Sequence, residues 1–171
     1  MTINRRRIAF ARIALAAVLA LTITGSLFAY VSTLYASTTT AESTNSQTPV
    51  PISGLSFTLP VKNGTNFNYA AITLSMPNLY LSGTPTSGTA LAGEVSVLLA
   101  GTTTIATGQI SADIEGPGKL GGDTGRKPMT IVVKIPLTSV TQTIQAQWNG
   151  VNGATIQSDT FASLFAILTE S

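Results

Sequence analysis

The chain contains neither cysteine nor histidine in its 171 residues. Without cysteine there is no disulfide frame, no thiol nucleophile and no thiolate zinc ligand. Without histidine, the imidazole general bases and the commonest metal ligand are missing as well. Charge is scarce: 9% of residues are Asp, Glu, Lys or Arg, against about 25% in an ordinary soluble domain. Four of the nine basic residues, Arg5, Arg6, Arg7 and Arg12, sit in the first twelve positions. From Ile13 onward five basic residues stand against seven acidic ones, so the body is mildly acidic although the whole chain is +2. Such a body has no cationic surface to neutralise phosphates, which removes nucleic acid as a partner. There is no G-x-G-x-x-G fingerprint and no P-loop. A serine–lysine pair is the catalytic arrangement that the composition still allows, and no spacing isolates one serine among so many. We therefore read no catalytic residue, no cofactor and no metal site, and expect a protein that is not an enzyme.

The most polar stretch tests that expectation. Asp113, Glu115 and Asp123, within Ala112 to Lys127, carry oxygens of the kind that bind Ca²⁺. Their spacing matches no calcium loop, and Lys119, Arg126 and Lys127 offset their charge. The stretch reads as a glycine-rich hairpin loop with scattered ion pairs.

What the chain does have begins at its front. Residues 1–12 form a basic leader, and Ile13 to Ala36 is an uncharged, mostly apolar run of 24 residues. As a helix it would rise ~36 Å, enough for a hydrocarbon core of ~30 Å. Secretion-signal cores are shorter, about 7–15 residues, so a retained helix is the first reading and a cleaved signal the second. Arginines ahead of it place the N-terminus in the cytoplasm and the remainder outside. Ser37 to Pro51, STTTAESTNSQTPVP, is Ser/Thr/Pro-rich and reads as a linker, or as an extended segment able to join a neighbouring sheet edge.

From Ile52 to the end, residues 52–171, the pattern turns to period two. Leu55, Phe57, Leu59 and Val61 alternate with Ser56, Thr58, Pro60 and Lys62. Ile72, Leu74 and Met76 repeat the pattern, as do Met129, Ile131, Val133, Ile135 and Leu137. Further strands are expected at Glu94 to Leu99, at Ile105 and Ile110 either side of a break at Gly108, and at Ile144 to Trp148. The last, Thr160 to Leu168, is apolar on both faces and so must lie in mid-sheet or under a partner. Asn63-Gly64, Asn149-Gly150 and Asn152-Gly153 favour positive-φ turns. Pro60, Pro77 and Pro136 belong at strand ends, edges or bulges. Seven or eight short strands with this spacing specify an all-β, antiparallel β-sandwich of immunoglobulin-like or jelly-roll type, preceded by one N-terminal hydrophobic α-helix.

Three resemblances accompany this reading. The basic leader, the uncharged helix with Phe28, Tyr30 and Tyr35 near its end, and the Ser/Thr-rich β-domain resemble an archaeal type IV pilin. That likeness implies self-association through the N-terminal helix in a filament core. Phe28-Ala29-Tyr30-Val31-Ser32 is similar to the signal end of TasA and camelysin filament proteins, which implies a β-sandwich that accepts a neighbour's strand. Phe57 to Gly64, Val95 to Leu99 running through Ile105 to Gly108, and the Met129 to Leu137 strand resemble the late-embryogenesis-abundant type 2 (WHy) sandwich, which implies a membrane-anchored binding domain.

Two surface features complete the inventory. Asn63-Gly64-Thr65 is the one N-x-S/T sequon, an acceptor for a glycan on an exported turn. Trp148 with Phe161 and Phe165 is a candidate sugar platform, although aromatics at strand spacing are more often core. The function expected is a structural subunit of a cell-surface filament, pilus-like and adhesive, with its helix in the filament core or the membrane. The alternative is a single-pass, membrane-anchored binding domain of the cell envelope.

Overall fold

The structure, a computed structural model, describes residues 32–84, 90–99, 102–112 and 125–170. The described residues form ten strands: β1 (Thr33–Ser37), β2 (Glu42–Thr44), β3 (Val50–Leu59), β4 (Tyr69–Ser82), β5 (Leu91–Leu99), β6 (Thr103–Ala112), β7 (Lys127–Pro136), β8 (Gln142–Val151), β9 (Thr155–Ser158) and β10 (Ser163–Thr169). All pairings are antiparallel. One sheet has the order β3-β8-β5-β6. In the other, β4 is flanked by β7 on one side and by β9 and β10 on the other, and β1 and β2 lie outside these last two.

The second sheet is simpler than its strand count. β10 pairs with the first half of β4 and β9 with the second half. β1 pairs with β10, and β2 with β9. β1/β2 and β9/β10 are thus two long strands, each interrupted once. β4 slips register between Met76 and Leu79 at the same level. The three irregularities line up across the sheet, bridged by the Thr38 amide donating to Ala162 O at 2.9 Å and the Asp159 amide to Asn78 O at 3.3 Å.

The two inner faces form the core. Ile72, Leu74, Met76, Leu79 and Leu81 of β4 meet Ile144, Ala146 and Trp148 of β8 and Val95 and Val97 of β5, all essentially without solvent contact. Period-two alternation, read from the sequence, is what turns these residues inward. The prolines fall where a missing N–H is tolerated: Pro60 just past β3, Pro77 in the β4 register slip, Pro136 at the end of β7.

Several expectations need correction. Residues 33–36, assigned above to the end of the helix, are the edge strand β1; the rest of that helix, residues 13–31, and the leader lie outside the described residues. The physical reason is β10. With apolar side chains on both faces it takes partners on both sides, and Thr33–Ser37 supplies one. The segment 37–51 is not a free linker, because it contains β2 and the start of β3, both paired within this chain. The sandwich therefore begins near residue 32 rather than 52. Gly108 does not break β6. A Cβ there would come within 2.9 Å of Met129 Sδ, so the glycine admits a close neighbour instead. Asn149-Gly150 is not a turn but part of β8, whereas Asn152-Gly153 is one, with φ of 59° and 82°. Asn63 lies in a short 3-10 turn, Lys62–Gly64, and not at positive φ. The loop carrying Asp113, Glu115 and Asp123 falls outside the described residues.

At Gly150 the β8 backbone passes so near Ala154 that a Cβ would sit 1.9 Å from the Ala154 carbonyl oxygen. Gly150→Ala is expected to destabilise the protein by about 3 kcal/mol, since backbone has to move. Gly93→Ala, which meets only the movable side-chain ends of Ile156 and Leu81, should cost about 1 kcal/mol. Denaturant midpoints of the two variants check the contrast.

Candidate ligand-binding site

The three-residue candidate platform does not assemble. Trp148 is 2% exposed and part of the core, Phe165 is half-buried on the outer face of β10, and Phe161 stands 76% exposed. Phe161 lies in the 159–162 interruption between β9 and β10, with φ of 78°. A bulky side chain at positive φ costs roughly 1–2 kcal/mol through the clash of its Cβ with backbone. Here that strain holds an aromatic ring out in water.

Charged and polar groups gather on the same outer face. Arg126, just ahead of β7, donates through Nε to Asp159 Oδ2 at 2.5 Å and through Nη2 to Oδ1 at 3.4 Å. Its guanidinium also lies 4.9 Å from the ring centroid of Tyr80 on β4. Directly across from Tyr80, Gln157 donates from Nε2 to Ser82 Oγ. The Arg126 side chain is 50% exposed and that of Asp159 31%. The fold brings these groups together from the second half of β4, the entry to β7, β9 and the interruption after it.

A carboxylate and a guanidinium in one pair offer acceptors and donors at fixed spacing, which suits a vicinal diol. The exposed ring of Phe161 offers an apolar face, and Tyr80 a polar-tipped one. No histidine or cysteine exists to act as nucleophile or general base.

Two other surfaces compare less well. An open groove of about 590 Å³ runs between the unpaired edges of β6 and β7, with Gln109, Thr107 and Thr130 above Ile110 and Ile131. It carries neither a charge nor an aromatic ring. The β3-β8-β5-β6 sheet carries polar cross-strand rows, Asn149–Glu94–Gln109 and Gln147–Ser96–Thr107, in which Asn149 and Ser96 are buried, again without an aromatic ring. Asn63, the asparagine of the sequon, is exposed on the turn after β3, at the opposite end of the strands from Tyr80 and Arg126. No group of acidic side chains among the described residues is arranged to hold a metal ion.

Sequence reasoning missed Tyr80, Arg126 and Asp159. The available signal was Asp159-Thr160-Phe161, a polar break between the apolar runs that became β9 and β10. Phe161→Gly is expected to raise stability by about 1 kcal/mol, by removing the Cβ that opposes positive φ. Thermal unfolding checks this; a gain would mark Phe161 as retained for something other than folding.

The family described as "Bc2l-C, N-terminal domain" matches residues 33–167 of the chain. No curated protein matches it. Among solved structures, the dimeric latent PorU of Porphyromonas gingivalis is 12% identical over 81% of this chain and 12% of its own, with a TM-score of 0.49. The insecticidal delta-endotoxin Cry8Ea1 of Bacillus thuringiensis is 14% identical over 75% of this chain and 19% of its own, with a TM-score of 0.38. The VP2 subviral particle of infectious bursal disease virus is 11% identical over 82% and 40%, with a TM-score of 0.23. The chain thus spans well under half the length of each of these structures. With the family matched from the first residue of β1 into β10, the chain belongs to the Bc2l-C N-terminal-domain family.

Proposed function

We propose that this chain is a glycan-binding, lectin-like β-domain displayed at the cell surface by its apolar N-terminal segment. The family it belongs to is a lectin-like β-domain, and its eight long strands, with β1/β2 and β9/β10 each counted once, wind as a jelly roll. The observation that carries the reading is the Arg126–Asp159 pair beside the Tyr80 ring, with the exposed Phe161 two residues along the chain from Asp159: aromatic surface together with a paired donor and acceptor. Sugar recognition needs both, because the C–H face of a sugar stacks on a ring while its hydroxyls need directed partners. A surface of hydroxyl side chains with little charge leaves such a site without competing electrostatic attraction for polyanions.

A second reading is favoured by one feature. Tyr35, Phe165, Thr73 and Val132 form a single cross-strand row on the outer face of the β1-β10-β4-β7 sheet. Tyr35 and Val132 are 68% and 67% exposed. An apolar stripe of this kind suits self-association, and with it a structural role in a surface filament.

Binding of the full chain in detergent to immobilised glycans tests the first reading. Arg126→Ala is expected to weaken capture about tenfold, the equivalent of one charge-assisted hydrogen bond, and Phe161→Gly to weaken it while leaving the fold intact. Binding unchanged in both variants would remove the site. For the second reading, Val132→Asp is expected to disperse assemblies seen by electron microscopy of sheared cell-surface material. Absence of the protein from that sheared fraction counts against the filament.

A further inference from the structure

We propose that Asn63 is the site of a spontaneous modification, loss of its side-chain amide to give aspartate and isoaspartate, and that the fold withholds this reaction from the other Asn-Gly steps. Nothing in this depends on what the domain binds. The chain holds three such steps, Asn63-Gly64, Asn149-Gly150 and Asn152-Gly153. Glycine after asparagine is the reactive arrangement, because no Cβ shields its backbone nitrogen or restricts its dihedral angles. That nitrogen, on losing its proton, attacks the asparagine Cγ. The N–Cγ bond forms, the Cγ–Nδ2 bond breaks and ammonia departs, leaving a five-membered imide. Water then adds to either imide carbonyl and opens the ring, to isoaspartate or to aspartate. No oxidant, metal or enzyme is required, so the rate depends on how freely each step reaches the geometry of attack.

Asn149 is closed to it. It lies within β8, opposite Glu94 of β5, and Gly150 lies opposite Gly93. Its side chain is buried, with Nδ2 donating to Gly150 O at 3.2 Å. The Gly150 amide, the nucleophile of this step, donates to Ser46 O at 2.8 Å. Attack there would first take the strand out of its sheet.

Asn152 and Asn63 are both exposed, so exposure does not separate them. Hydrogen bonding does. Asn152 Nδ2 donates to Ala90 O at 2.9 Å, and the Gly153 amide donates to Gln47 Oε1 at 3.1 Å. Leaving group and nucleophile are thus both held by residues distant in the chain. For Asn63, no hydrogen bond among the described residues holds the carboxamide. Its turn, Lys62–Gly64, has no side-chain cap and is closed by the Thr65 amide donating to Lys62 O at 3.2 Å. A single exposed backbone hydrogen bond is a small barrier to local opening.

The product changes this surface. The new carboxylate stands next to Lys62 in the chain, and isoaspartate adds a carbon to the backbone of the turn. The nitrogen that leaves is also the atom to which a glycan would be joined in Asn63-Gly64-Thr65. The two modifications therefore exclude each other.

The test incubates the purified full chain at mildly alkaline pH, both folded and in urea. Peptide mapping by mass spectrometry follows each step, and methyltransferase labelling counts isoaspartate. In urea the three steps are expected to react at similar rates, since glycine follows each. In the folded chain Asn63 is expected to stay within a few-fold of its urea rate, and Asn149 to remain intact. Asn152 is expected to react about tenfold more slowly than Asn63, because two hydrogen bonds rather than one must break. Gln47→Ala, which releases the Gly153 amide, should speed Asn152 several-fold and leave Asn63 unchanged. Gly64→Ala should slow Asn63. A folded chain in which Asn63 stays intact, or in which Asn152 reacts as fast as Asn63, overturns the proposal. An unchanged Asn152 rate in Gln47→Ala removes the hydrogen-bond protection and overturns it as well.

Discussion

The mutual burial of two sheet faces is the interaction on which the rest of this structure depends. No disulfide is available to the chain, and with 9% charged residues it has little from which to build salt bridges. What remains is apolar area removed from water, at about 25 cal/mol per Å², together with close packing around Trp148, Leu74, Met76 and Ile144. Glycines are placed where that packing is tightest. Gly93 lets β5 approach Leu81 and Ile156, Gly108 lets β6 approach Met129 and Ile131, and Gly150 lets β8 pass Ala154. A closely packed interior of this kind tolerates little added volume.

The candidate site follows from a flaw in one of those sheets. Three neighbouring strands lose their regular pairing at one level: β1/β2, β9/β10 and the slip in β4. An irregular strand can re-aim side chains that a regular pleat would alternate in and out. Asp159 and Phe161 are aimed outward in this way, where Asp159 meets Arg126 and Arg126 meets Tyr80. The positive φ at Phe161 is held there by the flanking strands and by the Thr38–Ala162 hydrogen bond. Backbone strain that survives in a binding surface is commonly tied to its use.

The two ends of the sandwich differ in kind. One receives the chain from an uncharged N-terminal run and shows valine, tyrosine and lysine. The other half carries the guanidinium–carboxylate pair and its aromatic companions.

Much of the fold was legible because strand periodicity is a local property. Leu55 to Val61, Ile72 to Met76 and Met129 to Leu137 alternate by themselves, and the prolines mark where the ladders end. The two-faced apolar run ending at Leu168 announced its own mid-sheet place. Thr33–Ser37 did not, since an apolar edge strand following an apolar helix-like run has the same composition as more helix. Only its pairing with β10 decided between them. The site was hidden for the same reason. Tyr80, Arg126 and Asp159 are far apart along the chain, and their pairing rests on sheet register, a non-local quantity. Amino-acid order alone determined that this body would be all strand, without thiol or imidazole chemistry, and apolar at its front. Tertiary structure decided which residues share a surface, because antiparallel register sets distances between side chains that sequence separation does not encode.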